Sequence, residues 1–86
     1  MRCLLIYDIP HDGIRLKVAD ACLDYGLQRV QYSAFLGELS QVHQRELFLQ
    51  IKRRIGKKEA NVQFFPLDEK SWSGRRVIEQ VQRSEE

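Results

Sequence analysis

The sequence lacks the features that mark membrane-spanning, zinc-binding and disulfide-stabilised proteins. Its longest apolar run, Cys3 to Tyr7, is far shorter than the roughly 20 residues that a membrane-spanning helix needs, and no secretory leader precedes it. There are two cysteines, Cys3 and Cys22, and they do not have the CxxC spacing of a zinc site. Both lie at apolar-patterned positions, which predicts two buried, reduced thiols in a cytoplasmic protein.

Signatures of several large enzyme classes are also missing. The sequence has no GxGxxG, Walker, HExxH or GxSxG motif, which excludes dinucleotide, nucleoside-triphosphate, zinc-protease and serine-hydrolase sites of those types. The aromatic signature of RNA-recognition motifs is absent as well. His11 and His43 have neither metal-ligand nor triad spacing, and both are predicted to be surface residues.

The charge distribution favours an anionic partner. The 86 residues, which we interpret as one domain over 1–86, carry 14 basic and 12 acidic side chains. Residues 1–43 hold four basic and five acidic side chains, a net charge of −1, whereas residues 44–86 hold ten and seven, a net charge of +3. A dense basic cluster comprises Lys52, Arg53, Arg54, Lys57 and Lys58. Cations in a last helical turn also favour the helix dipole, but five in seven residues exceed what a cap requires, so the basic cluster predicts binding of nucleic-acid phosphates.

The first half of the chain predicts a strand, a helix and a hairpin. Residues 3–9, CLLIYDI, are apolar except for Asp8 and predict a central strand that is buried on both faces. Asp12 is placed to cap a helix that stops at Gly26. The apolar stripe of this helix comprises Ile14, Val18, Ala21, Cys22 and Tyr25. Residues 27–39 predict two short strands that turn near Tyr32 and Ser33.

The second half predicts a helix and an edge strand. Ser40 is placed to cap a helix that ends at Gly56. Its predicted core stripe comprises Leu47, Phe48, Ile51 and Ile55. Residues 61–65 alternate polar and apolar side chains and predict an edge strand that Pro66 closes. Residues 75–81 fit either a short extra strand or a helical turn.

The resulting β-α-β-β-α-β order predicts an α+β, ferredoxin-like sandwich, with two helices on one face of a four-stranded antiparallel sheet. The core spans about residues 2–67, and residues 68–86 form a tail. No helix is left to cover the other face of the sheet, and twofold pairing of two sheets would bury it. We therefore expect a homodimer.

Asp8 is a charged residue at the end of an otherwise apolar strand. Its carboxylate has to be solvated or paired, and one common use of such a group is to cap the following turn. It can instead ligate Mg²⁺, which takes oxygen ligands from one or two carboxylates together with water and phosphate. A symmetric dimer that brings two copies of Asp8 near its axis would supply the second carboxylate. Both interpretations stay open at this point.

Two arginines outside the basic cluster are further candidates. Arg15 lies in the first turn of the predicted helix, where the helix dipole mildly opposes a cation. Its side chain either extends to solvent without a specific partner or reaches a phosphate held near Asp8. Arg29 opens the second predicted strand, and its position alone is that of an exposed strand residue.

Several of these residues together resemble a known family. A leading LLIYDI strand, an arginine opening the first helix, a Tyr-Gly pair at the end of that helix and the segment RVQYSAF resemble the CRISPR-associated Cas2 family, the small partner in spacer acquisition. The similarity spans about residues 3–67, and the order YDI, R and YG-x-x-RVQ-x-S-x-F makes it specific.

The resemblance implies a ferredoxin-like homodimer in which a C-terminal extra strand crosses onto the other subunit. It also implies binding of RNA or DNA, metal-dependent endonuclease activity on single-stranded RNA or duplex DNA, and a bridging role between dimers of the CRISPR integrase. The family's metal-site aspartate falls on Asp8, and its functional arginines fall on Arg15 and Arg29. Tyr7 stands beside the aspartate, and Phe35 matches a further aromatic residue.

This sequence departs from the family pattern at two positions. Lys17 stands at a second basic position after Arg15, where it keeps the charge but loses the bidentate fork of arginine. Leu36 stands where a glutamate often follows the phenylalanine, and Glu38 is not a safe substitute. No role is therefore assigned to that carboxylate.

These observations predict a mechanism. Two Asp8 carboxylates hold Mg²⁺, which activates water and neutralises charge on the phosphodiester. Arg15 and Arg29 position the phosphates, while Tyr7 and Phe35 shape the cleft. Phe35 fits a residue of the dimer core equally well.

Two alternatives compete with the nuclease. In the first, the dimer is a non-catalytic DNA-binding scaffold for the integrase, supported by the basic cluster, and Asp8 serves only the turn. Lys17 is a nucleic-acid-binding candidate together with Arg15 and Arg29. In the second, the fold is a small-molecule regulatory module, for which the sequence carries no ligand motif. Arg75 and Arg76 receive no assignment from the sequence.

Overall fold

One four-stranded antiparallel sheet forms the framework of residues 1–81, which the computed structural model describes. The elements are β1(Arg2–Asp8), α1(Asp12–Asp24), β2(Gln28–Gln31), β3(Ala34–Glu38), α2(Gln41–Ile55), β4(Asn61–Leu67) and α3(Glu69–Ser73). The strand order is β2-β3-β1-β4. This is the predicted α+β, ferredoxin-like arrangement, extended by the short helix α3. No helix within residues 1–81 has the length and apolar character that crossing a membrane requires.

The central strand β1 is fully buried on one face only. Cys3, Leu5 and Tyr7 are buried in a single core with residues of α1 and α2, whereas Leu4 and Ile6 on the other face are half-buried. The central position is confirmed, because β1 pairs with β3 on one side and β4 on the other. Burial on both faces is not reached in the single chain, since both long helices pack on the same face. We call the other face the open face.

Helix α1 follows its predicted apolar stripe but is capped by a different residue. Within the stripe, Ile14, Val18 and Cys22 are buried. The prediction of Asp12 as the N-cap is wrong: His11 is the N-cap, and its Nδ1 accepts a hydrogen bond from the Ile14 amide at 3.3 Å. Asp12 is instead the first helical residue, where its negative charge suits the helix dipole.

Helix α2 begins and ends as predicted, with one error in its core stripe. Ser40 Oγ accepts from the His43 amide at 3.2 Å, and Gly56 closes the helix. Leu47 and Ile51 are buried, but Phe48 is 42% exposed. The roughly 100° step per residue turns Phe48 away from the sheet, onto the flank of the helix beside β4.

The edge strand β4 runs through its proline. Pro66 lies inside β4 and pairs in register with Cys3, so the prediction that it closes the strand is wrong. The prediction of an edge strand is confirmed. The edge position explains why β4 tolerates a proline, because a proline lacks an N–H and that side of the strand faces solvent.

The segment after β4 contains a helix that the sequence pattern did not reveal. Asp68 caps α3 by accepting from the Ser71 amide at 2.7 Å, and this bond lowers the pKa of Asp68. The Trp72 ring lies 4.3 Å from the Arg2 guanidinium and 3.6 Å from that of Arg75. Residues 75–81 form neither helix nor strand, so the expected C-terminal extra strand is not formed there in the single chain, because a strand needs a second strand to pair with. The end of the predicted tail, residues 82–86, lies outside the described residues.

Candidate nucleic-acid site

Strand β1 places two neighbouring candidate site residues, Tyr7 and Asp8, on opposite faces of the sheet. Tyr7 is buried on the helix-covered face, and the alternation of the strand places Asp8 with Ile6 on the open face. Asp8 is exposed and lies opposite Asn61 in the β1–β4 register. None of the ion pairs within residues 1–81 includes Asp8.

Arg15, and not Asp8, holds the turn that follows β1. Its Nη1 donates to the carbonyl oxygen of Ile9 at 2.8 Å and to that of Pro10 at 3.3 Å, and its Nη2 pairs with the carboxylate of Asp12. The interpretation of Asp8 as the turn cap therefore finds no support in the geometry. Partial burial lowers the pKa of Arg15, but Asp12 and the nearby Tyr32 hydroxyl outweigh it, and the net direction is upward. Arg15 is a charged group whose donors are largely used within the protein.

Arg29 is brought to the helix-covered face by an irregularity in the hairpin. The β2–β3 pairing shifts between Arg29 and Gln31, so that Arg29 lies opposite Phe35. A β-bulge of this kind re-aims side chains at a sheet edge. The Arg29 guanidinium lies 5.1 Å from the centre of the Phe35 ring and 5.8 Å from that of Tyr32, within the roughly 6 Å of a cation–π contact.

The aromatic residues beneath Arg29 make a rigid base. Phe35 is fully buried, and its ring stacks on that of Tyr7 with centroids 6.2 Å apart. The Tyr7 amide also donates to the carbonyl of Ser33 in the hairpin turn at 3.0 Å. Burial raises the pKa of Tyr7, and the positive charge of Arg29 offsets part of that effect. Tyr7 is therefore a neutral phenol at physiological pH.

These groups surround a cleft of about 300 Å³ between α1 and the β2–β3 hairpin, which we call the arginine cleft. Its lining residues are Tyr7, Asp12, Arg15, Leu16, Ala19, Arg29 and Tyr32. The structure thus brings together Tyr7, Arg15 and Arg29, with Phe35 beneath them. Asp8 is not part of this cleft.

Asp8 is not part of a cluster of metal-ligating side chains in the described part of its own chain. Residues 1–81 contain no group of three or more His, Cys, Asp or Glu side chains that could hold a metal ion. An exposed carboxylate without a protein partner still suits a hard cation such as Mg²⁺, which keeps several waters when bound.

The basic cluster lies at the end of α2 and in the turn to β4. Arg54 is used within the fold: its Nη1 donates to the carbonyl of Lys17 at 2.8 Å, and its Nη2 lies 3.9 Å from Asp24. The other four members, Lys52, Arg53, Lys57 and Lys58, are exposed, as is the Lys17 side chain. The turn leads into Asn61, the register partner of Asp8, so Lys57 and Lys58 lie at the same end of the sheet as Asp8.

Sequence reasoning missed four lining residues of the arginine cleft: the apolar Leu16 and Ala19, and two residues with polar groups, Tyr32 and Asp12. Tyr32 was assigned only to a turn, and Asp12 only to a cap. An aromatic residue in a predicted hairpin turn, three positions after an arginine, is a signal for Tyr32, because a tight turn leaves the ring without core neighbours. The pairing of Asp12 with Arg15 follows from their i, i+3 spacing on a helix.

Comparison with known proteins places the chain in a family. The family described as CRISPR associated protein Cas2 matches residues 1–75. The chain belongs to the Cas2 family. It is 64% identical over 80 residues to the CRISPR-associated endoribonuclease Cas2 2 of Chloroflexus aurantiacus, covering 93% of this chain and 94% of that protein. It is 42% identical over 79 residues to the CRISPR-associated endoribonuclease Cas2 of Desulforudis audaxviator, covering 92% and 74%.

A fusion protein and a solved structure complete the comparison. Part of the CRISPR-associated endonuclease Cas1/endonuclease Cas2 fusion of Thermoproteus tenax is 34% identical over 71 residues, which cover 83% of this Cas2 chain and 27% of the fusion. The crystal structure of Streptococcus pyogenes Cas2 at pH 6.5 superposes with a TM-score of 0.74 and 28% identity, covering 95% of this chain and 100% of that one. The family resemblance and the ferredoxin-like fold expected from the sequence are both confirmed.

Proposed function

We propose that this Cas2 chain is a Mg²⁺-dependent endonuclease that acts as a homodimer during CRISPR spacer acquisition. The observation that carries the proposal is the Asp8 carboxylate, which stands exposed at the end of an otherwise apolar strand without an ion-pair partner in residues 1–81. In a dimer that buries the open face, a carboxylate at the edge of that face has to stay solvated or be paired, and a bound cation is one such partner. Relatives named endoribonucleases support nuclease chemistry for this site.

The open face supports the dimer. Leu4 and Ile6 on β1 and Leu36 on β3 are half-buried, and Phe65 on β4 is 40% exposed. Twofold pairing of two open faces would remove this apolar surface from water. The same pairing would bring together the two strand ends that carry Asp8.

Asp8 would hold the metal ion, together with water and a phosphate oxygen of the substrate. When bound, Mg²⁺ lowers the pKa of a coordinated water and neutralises charge on the phosphodiester. Lys57 and Lys58, at the same end of the sheet, would bind flanking phosphates. Arg29 would bind the nucleic acid further away, on the helix-covered face. A cytoplasmic location is part of the same proposal.

The metal-ligand role is tested by Asp8→Asn, which keeps the shape of the side chain and removes its charge. The matched control is Asp20→Asn, because Asp20 is an exposed carboxylate on α1 outside the cleft. We expect Mg²⁺-dependent cleavage of labelled RNA and DNA to fall about 100-fold or more in Asp8→Asn, in line with the loss of a metal-site group, and to be unchanged in the control. Cleavage by Asp8→Asn at the wild-type rate would remove Asp8 from the chemistry.

A non-catalytic scaffold that holds DNA for the integrase is the second candidate. The exposed members of the basic cluster favour it, and the Thermoproteus tenax fusion supports Cas1 as the partner protein. Charge reversal of Lys57 and Lys58 together should strongly weaken duplex DNA binding and reduce the magnitude of its salt slope by about 0.9 for each phosphate that is no longer neutralised. Asp8-dependent cleavage of a short substrate should change less. Wild-type DNA affinity in the double variant would count against the scaffold.

A further inference from the structure

Tyr32 is an aromatic ring held out to solvent beside a cation. It lies in the two-residue turn of the β2–β3 hairpin, and it is 70% exposed although the ring contacts the Arg29 guanidinium. Exposed aromatic rings beside arginines are the stacking platforms of proteins that bind single-stranded nucleic acid. The contact with Arg29 and the tight turn restrict the ring, so little entropy is lost when a base stacks on it.

Arg29 is the cation of the arginine cleft that can accept an anion. Arg15 already donates to two backbone carbonyls and pairs with Asp12. Arg29 forms none of the ion pairs within residues 1–81, and its guanidinium lies against the rings of Tyr32 and Phe35. A guanidinium lying on an aromatic face keeps its edge free for a phosphate oxygen.

The shape of the cleft fits one nucleotide rather than a duplex. Its volume of about 300 Å³ lies at the lower end of the range for small-molecule sites, roughly 300–1,000 Å³. Apolar Leu16 and Ala19 on α1 line one wall, and the phenol of Tyr7 and the carboxylate of Asp12 add polar groups. A base inside a duplex is stacked on both faces and cannot reach such a cleft without being unpaired.

We propose that the arginine cleft binds one unpaired nucleotide of single-stranded RNA or DNA, with the base stacked on Tyr32 and the phosphate on Arg29. This inference rests on the proposed action on nucleic acid and adds a base-binding subsite to it. The subsite lies on the helix-covered face, whereas Asp8 lies on the open face. Strand binding and metal-dependent chemistry are therefore separable, and the cleft favours single-stranded over duplex substrates.

The test measures binding by fluorescence anisotropy with labelled oligonucleotides of one sequence, as single-stranded RNA, single-stranded DNA and blunt duplex DNA. The variants are Tyr32→Ala, Tyr32→Phe and Arg29→Ala, with Arg45→Ala as the matched control because Arg45 is an exposed cation outside the cleft. We expect Tyr32→Ala to weaken single-strand binding about tenfold, as for loss of one base–aromatic stack. Tyr32→Phe should restore it, and duplex binding and the control should stay at wild-type values. If Tyr32→Ala weakens binding of single-stranded RNA more than binding of single-stranded DNA, the subsite prefers ribose; the reverse order indicates a preference for deoxyribose.

Cleavage kinetics separate this subsite from the metal site. Tyr32→Ala should raise KM for a single-stranded substrate and leave kcat unchanged, because a remote stack contributes equally to ground and transition states. Asp8→Asn should lose cleavage and keep single-strand affinity. Wild-type affinity in Tyr32→Ala, or an equal loss for single strand and duplex, would overturn the subsite, whereas wild-type cleavage in Asp8→Asn would overturn only the proposed nuclease.

Discussion

Individual side chains in this protein take roles that their types alone do not reveal. Arg15 and Arg54 are both candidates for phosphate binding, yet each donates hydrogen bonds to backbone carbonyls within the protein. Arg15 donates to Ile9 and Pro10, and Arg54 donates to Lys17. Arginine suits this use because its guanidinium presents five donors in a planar fork, so that Arg15 bonds to two carbonyls and to Asp12 at once. Part of the positive charge is therefore structural, and the free cations are the ones to test for nucleic-acid binding.

The two cysteines are structural at the residue scale. Both are buried and free, as predicted. Burial raises the pKa of Cys22 from 9.0 to about 12, and it raises that of Cys3 as well. Only the thiolate reacts with disulfide reagents, so a buried thiol with a raised pKa is inert.

The raised pKa of Cys22 predicts that the folded protein loses stability at alkaline pH. Because the folded pKa lies above the unfolded value, the neutral thiol stabilises the fold below pH 9.0, and this contribution is lost as the pH rises from 9.0 toward about 12. Urea unfolding across that range should show a falling free energy of unfolding in the wild type. Cys22→Ala should start less stable but fall less steeply with pH. Equal slopes in the two proteins would contradict this assignment.

At the scale of elements, helix ends show how a backbone requirement selects a residue. Gly26 follows the C-cap Tyr25 of α1 with φ of 84°, a conformation that residues with a Cβ rarely adopt. No atom lies within 4 Å of a Cβ built there, so the requirement comes from the backbone and not from crowding.

Gly26→Ala should therefore destabilise the protein by about 1 kcal/mol, the strain of a left-handed residue with a Cβ. Gly74→Ala is the matched control, because Gly74 ends α3 with φ of −85° and its Cβ would meet only ordinary contacts. Chemical denaturation of both variants measures the difference. A loss in Gly74→Ala as large as that in Gly26→Ala would show that the backbone angle is not the cause.

For the whole molecule, the two faces of the sheet have different surroundings. Both long helices cover one face, while Leu4, Ile6 and Leu36 on the open face stay half-buried. A small domain buries a low fraction of its surface, so a second copy on the open face would contribute much to stability.

Ile6→Asp should convert the proposed dimer into a monomer, because each copy would place a second charge beside Asp8 in an apolar interface. Leu23→Asp is the control, since Leu23 is 53% exposed on α1, away from the open face. Light scattering after size-exclusion chromatography measures the mass, and circular dichroism checks that both variants keep the fold. A monomeric wild type, or a dimeric Ile6→Asp, would contradict the proposed interface.

Local patterns were sufficient for the order of the elements from β1 to β4 and for most of their ends. As predicted, Ser40 caps the start of α2, Gly56 ends it, and Gly26 follows the end of α1. These positions were predictable because capping depends on residues only a few positions apart. The errors have equally local causes: His11 displaced Asp12 as the cap, and Phe48 sits at the margin of its stripe. The short helix α3 escaped prediction because five residues are too few for a periodic signal.

The amino-acid order by itself determined the order of the elements from β1 to β4, the buried thiols and membership of the Cas2 family, since these follow from spacing along the chain. Only the tertiary structure decided which arginines of residues 1–81 use their donors within the protein, and which aromatic rings surround Arg29. It also decided that Tyr7 lines a cleft on the helix-covered face, whereas Asp8, the next residue in the chain, lies on the open face. The physical reason is that these outcomes depend on which distant segments pack together, as when Arg54 reaches the carbonyl of Lys17 across 37 positions.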